Sequence, residues 1–147
     1  MPYELLFNLS NLFVLPFWLM MILLPNLRIT KRVISSPWIV LPCALLYAGL
    51  VIPAFSDLIR KLSQPGLQEL AAGLSTPQGT LIGWVHFLAF DLFTGRWIYL
   101  DSREREIKSG WVALPLLLTF MLGPLGLLLY LCLRVVVKSA RFGKAND

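Results

Sequence analysis

The sequence predicts an all-α integral membrane protein, a bundle of four transmembrane helices, and three observations carry that prediction. Of 147 residues, 57% are hydrophobic and only 14% are charged, about half the charge of an ordinary soluble domain. Mean hydropathy is +0.72. Four stretches, 5–24, 38–59, 78–100 and 111–137, each supply the roughly 20 mostly apolar residues that a bilayer crossing needs. The bases fall in short bursts between them: Arg28/Lys31/Arg32, Arg60/Lys61, Arg103/Arg105/Lys108 and Lys138/Arg141/Lys144. Juxtamembrane charges are placed in this way, near headgroups.

Each element has its own signals. The first stretch has no ionisable residue; with no basic region before it and no small-residue cleavage site after it, it reads as a retained helix and not a signal peptide. The second opens at Ser36-Pro37, a cap followed by a proline suited to a first helical turn, with Trp38 at headgroup level and Asp57 near its end. The third contains His86, Asp91 and Arg96; the fourth has Gly123-Pro124-Leu125-Gly126 at its centre and Arg134 near its end. Residues 138–147 form a basic tail. The longest remainder, 60–77, has no room for a soluble catalytic domain, so 1–147 reads as one membrane domain. Four crossings place both termini on one face. Orientation stays open, since six bases on one side face five on the other.

Several classes are excluded. Dispersed bases do not make a nucleic-acid surface. Cys43 and Cys132 lie in apolar runs without metal or redox spacing and read as packing residues. Phosphate loops, HExxH, GxSxG and heme-attachment motifs are absent, and a single histidine rules out diiron chemistry by histidine ligation within one chain. No metal site and no cofactor is expected. The run 101–106 alternates in sign and reads as a solvated turn, with Asp101 and Glu104 as a weaker divalent-ion alternative.

Chemistry concentrates in the third stretch. His86 and Asp91 fall near the middle of its length, where an aspartate costs about 2.5–3.5 kcal/mol on insertion scales. Either they are glue between helices or they work directly, as acid and base. Steps of five residues turn a helix by roughly 140°, so His86, Asp91 and Arg96 fan around it, each needing its own partner. Arg96 can snorkel to the interface. Pro124 removes an amide and displaces the Phe120 carbonyl, leaving a mid-membrane acceptor into which His86 or a protonated Asp91 would donate; a kink that merely eases packing is the rival reading. Asn8 and Asn11 share a face of helix one, as glue or as contacts to a polar ligand end. Phe87, Phe90, Phe93 and Trp97 line a groove for a flat apolar ligand, or simply face lipid and core.

Residues 83–97, Gly-Trp-Val-His-Phe-Leu-Ala-Phe-Asp-Leu-Phe-Thr-Gly-Arg-Trp, and 119–130, Thr-Phe-Met-Leu-Gly-Pro-Leu-Gly-Leu-Leu-Leu-Tyr, resemble the signature of the abscisic-acid-deficient (neoxanthin-synthesis) family of small plastid and cyanobacterial membrane proteins. The resemblance spans essentially the whole chain. It implies carotenoid chemistry: plant members are required to make neoxanthin from violaxanthin and are linked to trans-to-cis isomerisation of these xanthophylls. With no plastid transit peptide ahead of helix one, the chain resembles a cyanobacterial-type member, expected in the thylakoid or plasma membrane of a photosynthetic bacterium.

The resemblance implies a redox-neutral conversion of an epoxide end group to an allene, for which His86 and Asp91 are the available acid and base; read from the residues themselves, the substrate contacts would be Asn8, Asn11, Phe90, Phe93, Arg96, Trp97, Phe120 and Pro124. A membrane-spanning carotenoid puts its polyene, not its ring, at the depth of Asp91, which suits double-bond isomerisation better than end-group chemistry, or else implies a tilted or shallow substrate. The expected partners are lipid, the carotenoid, and a second copy or a photosynthetic membrane protein. The main rival is a non-enzymatic carotenoid-binding or assembly subunit, which an Asp91→Asn variant separates from catalysis; a proton-coupled carrier is the third reading.

Overall fold

A computed structural model describes residues 2–56, 59 and 66–144. Asp57, Arg60 and Lys61, and the side chains of the basic tail, lie outside the described residues. Among those described, every regular element is helical: α1 (Pro2–Leu23), α2 (Arg28–Ser35), α3 (Leu41–Val51), α4 (Leu67–Leu74), α5 (Pro77–Glu104), α6 (Ser109–Leu122) and α7 (Pro124–Lys144). The chain is all-α, as its composition predicts.

The boundaries follow local chemistry. Pro25 follows the end of α1, and the Thr30 hydroxyl donates to the Leu24 carbonyl across the turn. Residues 28–35, expected as a basic loop, form α2 instead, with Thr30 and Ile34 buried one turn apart and Arg28, Lys31 and Arg32 exposed. The second apolar stretch is more broken than a single helix: 3₁₀ turns at Pro37–Val40 and Ile52–Ala54 flank α3, because Pro37, Pro42 and Pro53 each lack the amide that an unbroken ladder requires. Before α5, the Thr76 hydroxyl accepts from the Gly79 amide and Pro77 takes the first helical position. Arg105 and Glu106 leave the helix, Glu106 with φ 52°.

The expected four-span bundle is not confirmed, on two counts. Among the described residues only α1 is by itself long and apolar enough to cross a membrane; α2 and Pro37–Val51 qualify only as a pair bent by 71°. α5 has ample length, at 28 residues, but His86, Asp91 and Arg96 dilute its apolarity.

The fourth run is two helices, not one. α6 has 14 residues, which at 1.5 Å per residue reach roughly 20 Å, short of the ~30 Å hydrocarbon core. At Gly123 the backbone takes φ 39°, and the chain reverses. A Cβ at Gly126 would collide with the Thr119 amide and lie 2.5 Å from the Pro115 carbonyl oxygen; along a continuing helix those groups would be about 10 and 16 Å away. α6 and α7 are therefore an antiparallel hairpin.

Two compact units emerge, Met1–Leu15 with Trp38–Phe90, and Pro16–Pro37 with Asp91–Asp147. In the first, the Trp84 indole donates to the Asn11 side chain at 3.0 Å and its ring packs on Phe7 at 5.3 Å, pinning the start of α1 to α5. In the second, Trp18 is buried over Gly95 and against Phe120, ring centroids 5.3 Å apart. Its two inter-helix turns are tied together: Tyr99 donates to the Pro25 carbonyl at 2.7 Å, and Arg103 and Ser109 both donate to Asn26 Oδ1, at 2.9 and 3.2 Å.

Candidate functional site

The hairpin of the second unit organises the site. Its tip, Gly123, lies against the middle of α5, where a Cβ would come within 2.6 Å of Asp91 Oδ1. Glycine is required twice over, by the positive φ and by the carboxyl packed beside it. Asp91 is half-buried. It lies against Gly123, the residue between the end of α6 and the start of α7, whose N-terminal end carries the positive pole of its helix dipole. Irregular backbone of this kind is tolerated at membrane depth where protein covers it.

The return leg, α7, is fastened at the other end of α5. Tyr130, fully buried, donates its hydroxyl to Asp101 Oδ2 at 2.6 Å; Arg105 Nε donates to the same oxygen at 2.8 Å, and Arg134 lies 3.3 Å from Oδ1. Trp97 meets Tyr130 edge-on at 5.7 Å and carries the Arg134 guanidinium over its ring at 5.7 Å. From Asp91 to Asp101 is ten residues of α5, and from Gly123 to Arg134 eleven residues along the hairpin, about 15 Å each at helical rise. The matching lengths let one leg contact α5 at both depths.

Burial pushes the Asp101 carboxyl up, but hydrogen bonds from Tyr130 and Arg105 and the charges of Arg134 and Arg105 outweigh it and hold the group below the ordinary carboxylate range. Asp101 is 9% exposed. The solvated-turn reading holds for the end of the run, where Arg105 and Glu106 form a turn and Glu104 and Glu106 are exposed; at its start α5 continues a turn beyond its apolar stretch, faces Asp101 inward, and fills its oxygens with donors. No cluster of three or more metal-ligating side chains exists among the described residues.

The other sequence-selected residues separate into groups. His86 is exposed on α5 among aromatic rings, with Phe90 at 4.7 Å, Tyr47 at 5.6 Å and Phe87 at 6.0 Å. α5 is unbroken from Pro77 to Glu104, so the five-residue offset between His86 and Asp91 persists. Phe90 and Phe93 are exposed, Pro124 is exposed at the start of α7, and Phe120 is engaged by Trp18. Arg96 donates to the carbonyls of Ser35 and Ser36, the latter at 3.2 Å, and so caps the end of α2. Asn11 donates to the Phe7 carbonyl at 2.8 Å while holding Trp84; Asn8 borders a cleft on α1.

Sequence reasoning missed the Asp101–Tyr130–Arg134 cluster. A signal was available: Asp101/Arg105 and Tyr130/Arg134 are each four residues apart, so each pair shares a helix face.

The comparisons with known proteins agree on one family. The model of the family described as ABA DEFICIENT 4-like matches residues 5–130. The curated protein "Protein ABA DEFICIENT 4, chloroplastic" of Arabidopsis thaliana is 30% identical over 111 residues, covering 70% of this chain and 50% of its own length. The chain thus spans about half the length of that curated relative. No solved structure matches significantly. With most of its length matched by the family model, the chain belongs to the ABA DEFICIENT 4-like family.

Proposed function

We propose that this chain acts on a xanthophyll carotenoid inside a photosynthetic membrane, by a redox-neutral isomerisation in which Asp91 is the acid–base group. The observation that carries the reading is the position of Asp91 against the reversal at Gly123. An ionisable group at mid-helix, beside broken backbone, is the arrangement in which membrane proteins hold polar chemistry away from lipid. Family membership supports the substrate class.

In this reading the apolar runs all enter the bilayer. α1, the segment 37–54 and residues 78–100 of α5 cross it, and the α6–α7 hairpin enters and leaves on the side of Asp101, which lies just beyond the span. A carboxyl at this depth meets the polyene of a spanning carotenoid. Protonation of one polyene carbon by Asp91 turns a double bond into a delocalised cation free to rotate; return of the same proton to the carboxylate restores the bond in the new geometry. The product is an isomer of the substrate, with no electrons exchanged.

The test is the carotenoid isomer profile of cells carrying wild-type or Asp91→Asn protein. The profile is expected to revert to that of cells lacking the gene when Asp91 is replaced, while the protein still accumulates. An unchanged profile refutes a catalytic Asp91. The second reading, a carotenoid-binding or assembly subunit, is favoured by the exposed cluster of His86, Phe87 and Phe90. Under it, pigment co-purifies with both proteins and isomers do not change.

A further inference from the structure

The first unit contains an open surface cleft of about 480 Å³ between the beginning of α1 and the junction of α4 with α5, with Tyr3, Glu4, Asn8, Ser75 and Thr80 exposed along it; its volume falls within the roughly 300–1,000 Å³ of ligand sites. We infer that it is a binding site for a neutral, hydroxyl-bearing ring carried on an apolar body.

Ser75 and Thr80 both border the cleft, and both have their hydroxyl protons engaged, to the Ala71 carbonyl at 2.8 Å and the Leu74 carbonyl at 2.7 Å. What they offer a ligand is lone pairs. Glu4, on the opposite wall, also offers acceptor oxygens. Tyr3 and Asn8 supply the donors in the polar lining, and the side chain of Asn8, which is exposed, makes no hydrogen bond to a described residue. A lining this rich in acceptors matches a head that donates, such as an alcohol, and repels phosphate or carboxylate.

The apolar side is built as deliberately. Phe7 and Leu81 border the cleft, and Phe7 is braced from behind by Trp84, which Asn11 holds. This separates the two asparagines on one face of α1. Asn11 is committed to the wall, and Asn8 borders the open cleft.

Two sources share this chemistry: the hydroxylated end ring of a carotenoid and the sugar of a glycolipid. The first rests on the xanthophyll reading above; the site itself does not. The test uses full-length protein in phosphatidylcholine nanodiscs and equilibrium binding of three probes, β-ionone, 3-hydroxy-β-ionone and hexyl glucoside. The hydroxylated ionone is expected to bind at least ten-fold more tightly than β-ionone. Asn8→Leu and Thr80→Val should each cut that preference three-fold or more, while unchanged β-ionone affinity certifies an intact fold.

Tighter binding of hexyl glucoside, lost in the same variants, keeps the site and assigns it to a glycolipid, removing its support for the xanthophyll reading. Equal affinity for β-ionone and its alcohol in the wild type overturns the proposal. So does an undiminished hydroxyl preference in both variants, or tighter binding of an ammonium-bearing ionone analogue.

Discussion

Replacing Gly123 by alanine puts the hairpin tip under direct strain. The residue has φ 39°, and the new methyl would sit 2.6 Å from Asp91 Oδ1. Holding a non-glycine residue in such backbone costs about 1–3 kcal/mol. Forcing a methyl group into a filled space costs about 1–3 kcal/mol more. Together these approach a large fraction of a domain's stability, about 5–15 kcal/mol. At roughly 2–4 °C per kcal/mol for a chain of this size, the melting temperature should fall by several degrees to about 20 °C. The assay is thermal unfolding in detergent followed by circular dichroism, extended to a double-mutant cycle with Asp91→Ala. Removing the carboxyl should return the contact part of the loss, about 1–3 kcal/mol, and leave the backbone part. A Gly123→Ala protein that melts with the wild type refutes the tip geometry, and strict additivity refutes the contact with Asp91.

Other outcomes follow from the same unit. Asp101→Asn should destabilise by about 2–4 kcal/mol, since it leaves Arg134 and Arg105 without their buried counter-charge; denaturant unfolding reads it. The folded Asp101 carboxyl titrates below its unfolded value. Its stabilisation is therefore complete above the unfolded pKa of about 3.9 and lost as pH falls through the folded one, an acid slope that Asp101→Asn should lack. Arg96→Gln removes a charged cap from the Ser35 and Ser36 carbonyls and should cost about 1–2 kcal/mol, visible as faster proteolysis at α2. In a background with Cys43 and Cys132 replaced by serine, single cysteines at Lys108 and Val136 should react with a membrane-impermeant thiol reagent from the same side. Labelling from opposite sides would make the fourth run a true span.

The helical class, the polar interruption of α5 at His86, Asp91 and Arg96, and the break near Pro124 were all legible in the sequence. Composition and apolar run length depend only on which residues are present, and proline acts on its own backbone. Family membership was legible as well, from the two motif runs. Direction after a break is another matter. The same Gly123-Pro124 pair is compatible with a kinked span and with a full reversal, and the choice is made by contacts 11 to 33 residues distant: Gly126 on Pro115, Tyr130 and Arg134 on Asp101.

Charge was misread for a related reason. Asp101 stands in an alternating string that resembles solvated loop, yet besides Arg105 its partners, Tyr130 and Arg134, come from α7. Periodicity reveals which residues share a helix face, not what that face meets. Sequence alone therefore determined an apolar, helical chain with an acidic group midway along its third run. Only the tertiary structure decided that a chain reversal meets that acid, because burial and ion pairing are properties of residues brought together by folding, not of their order.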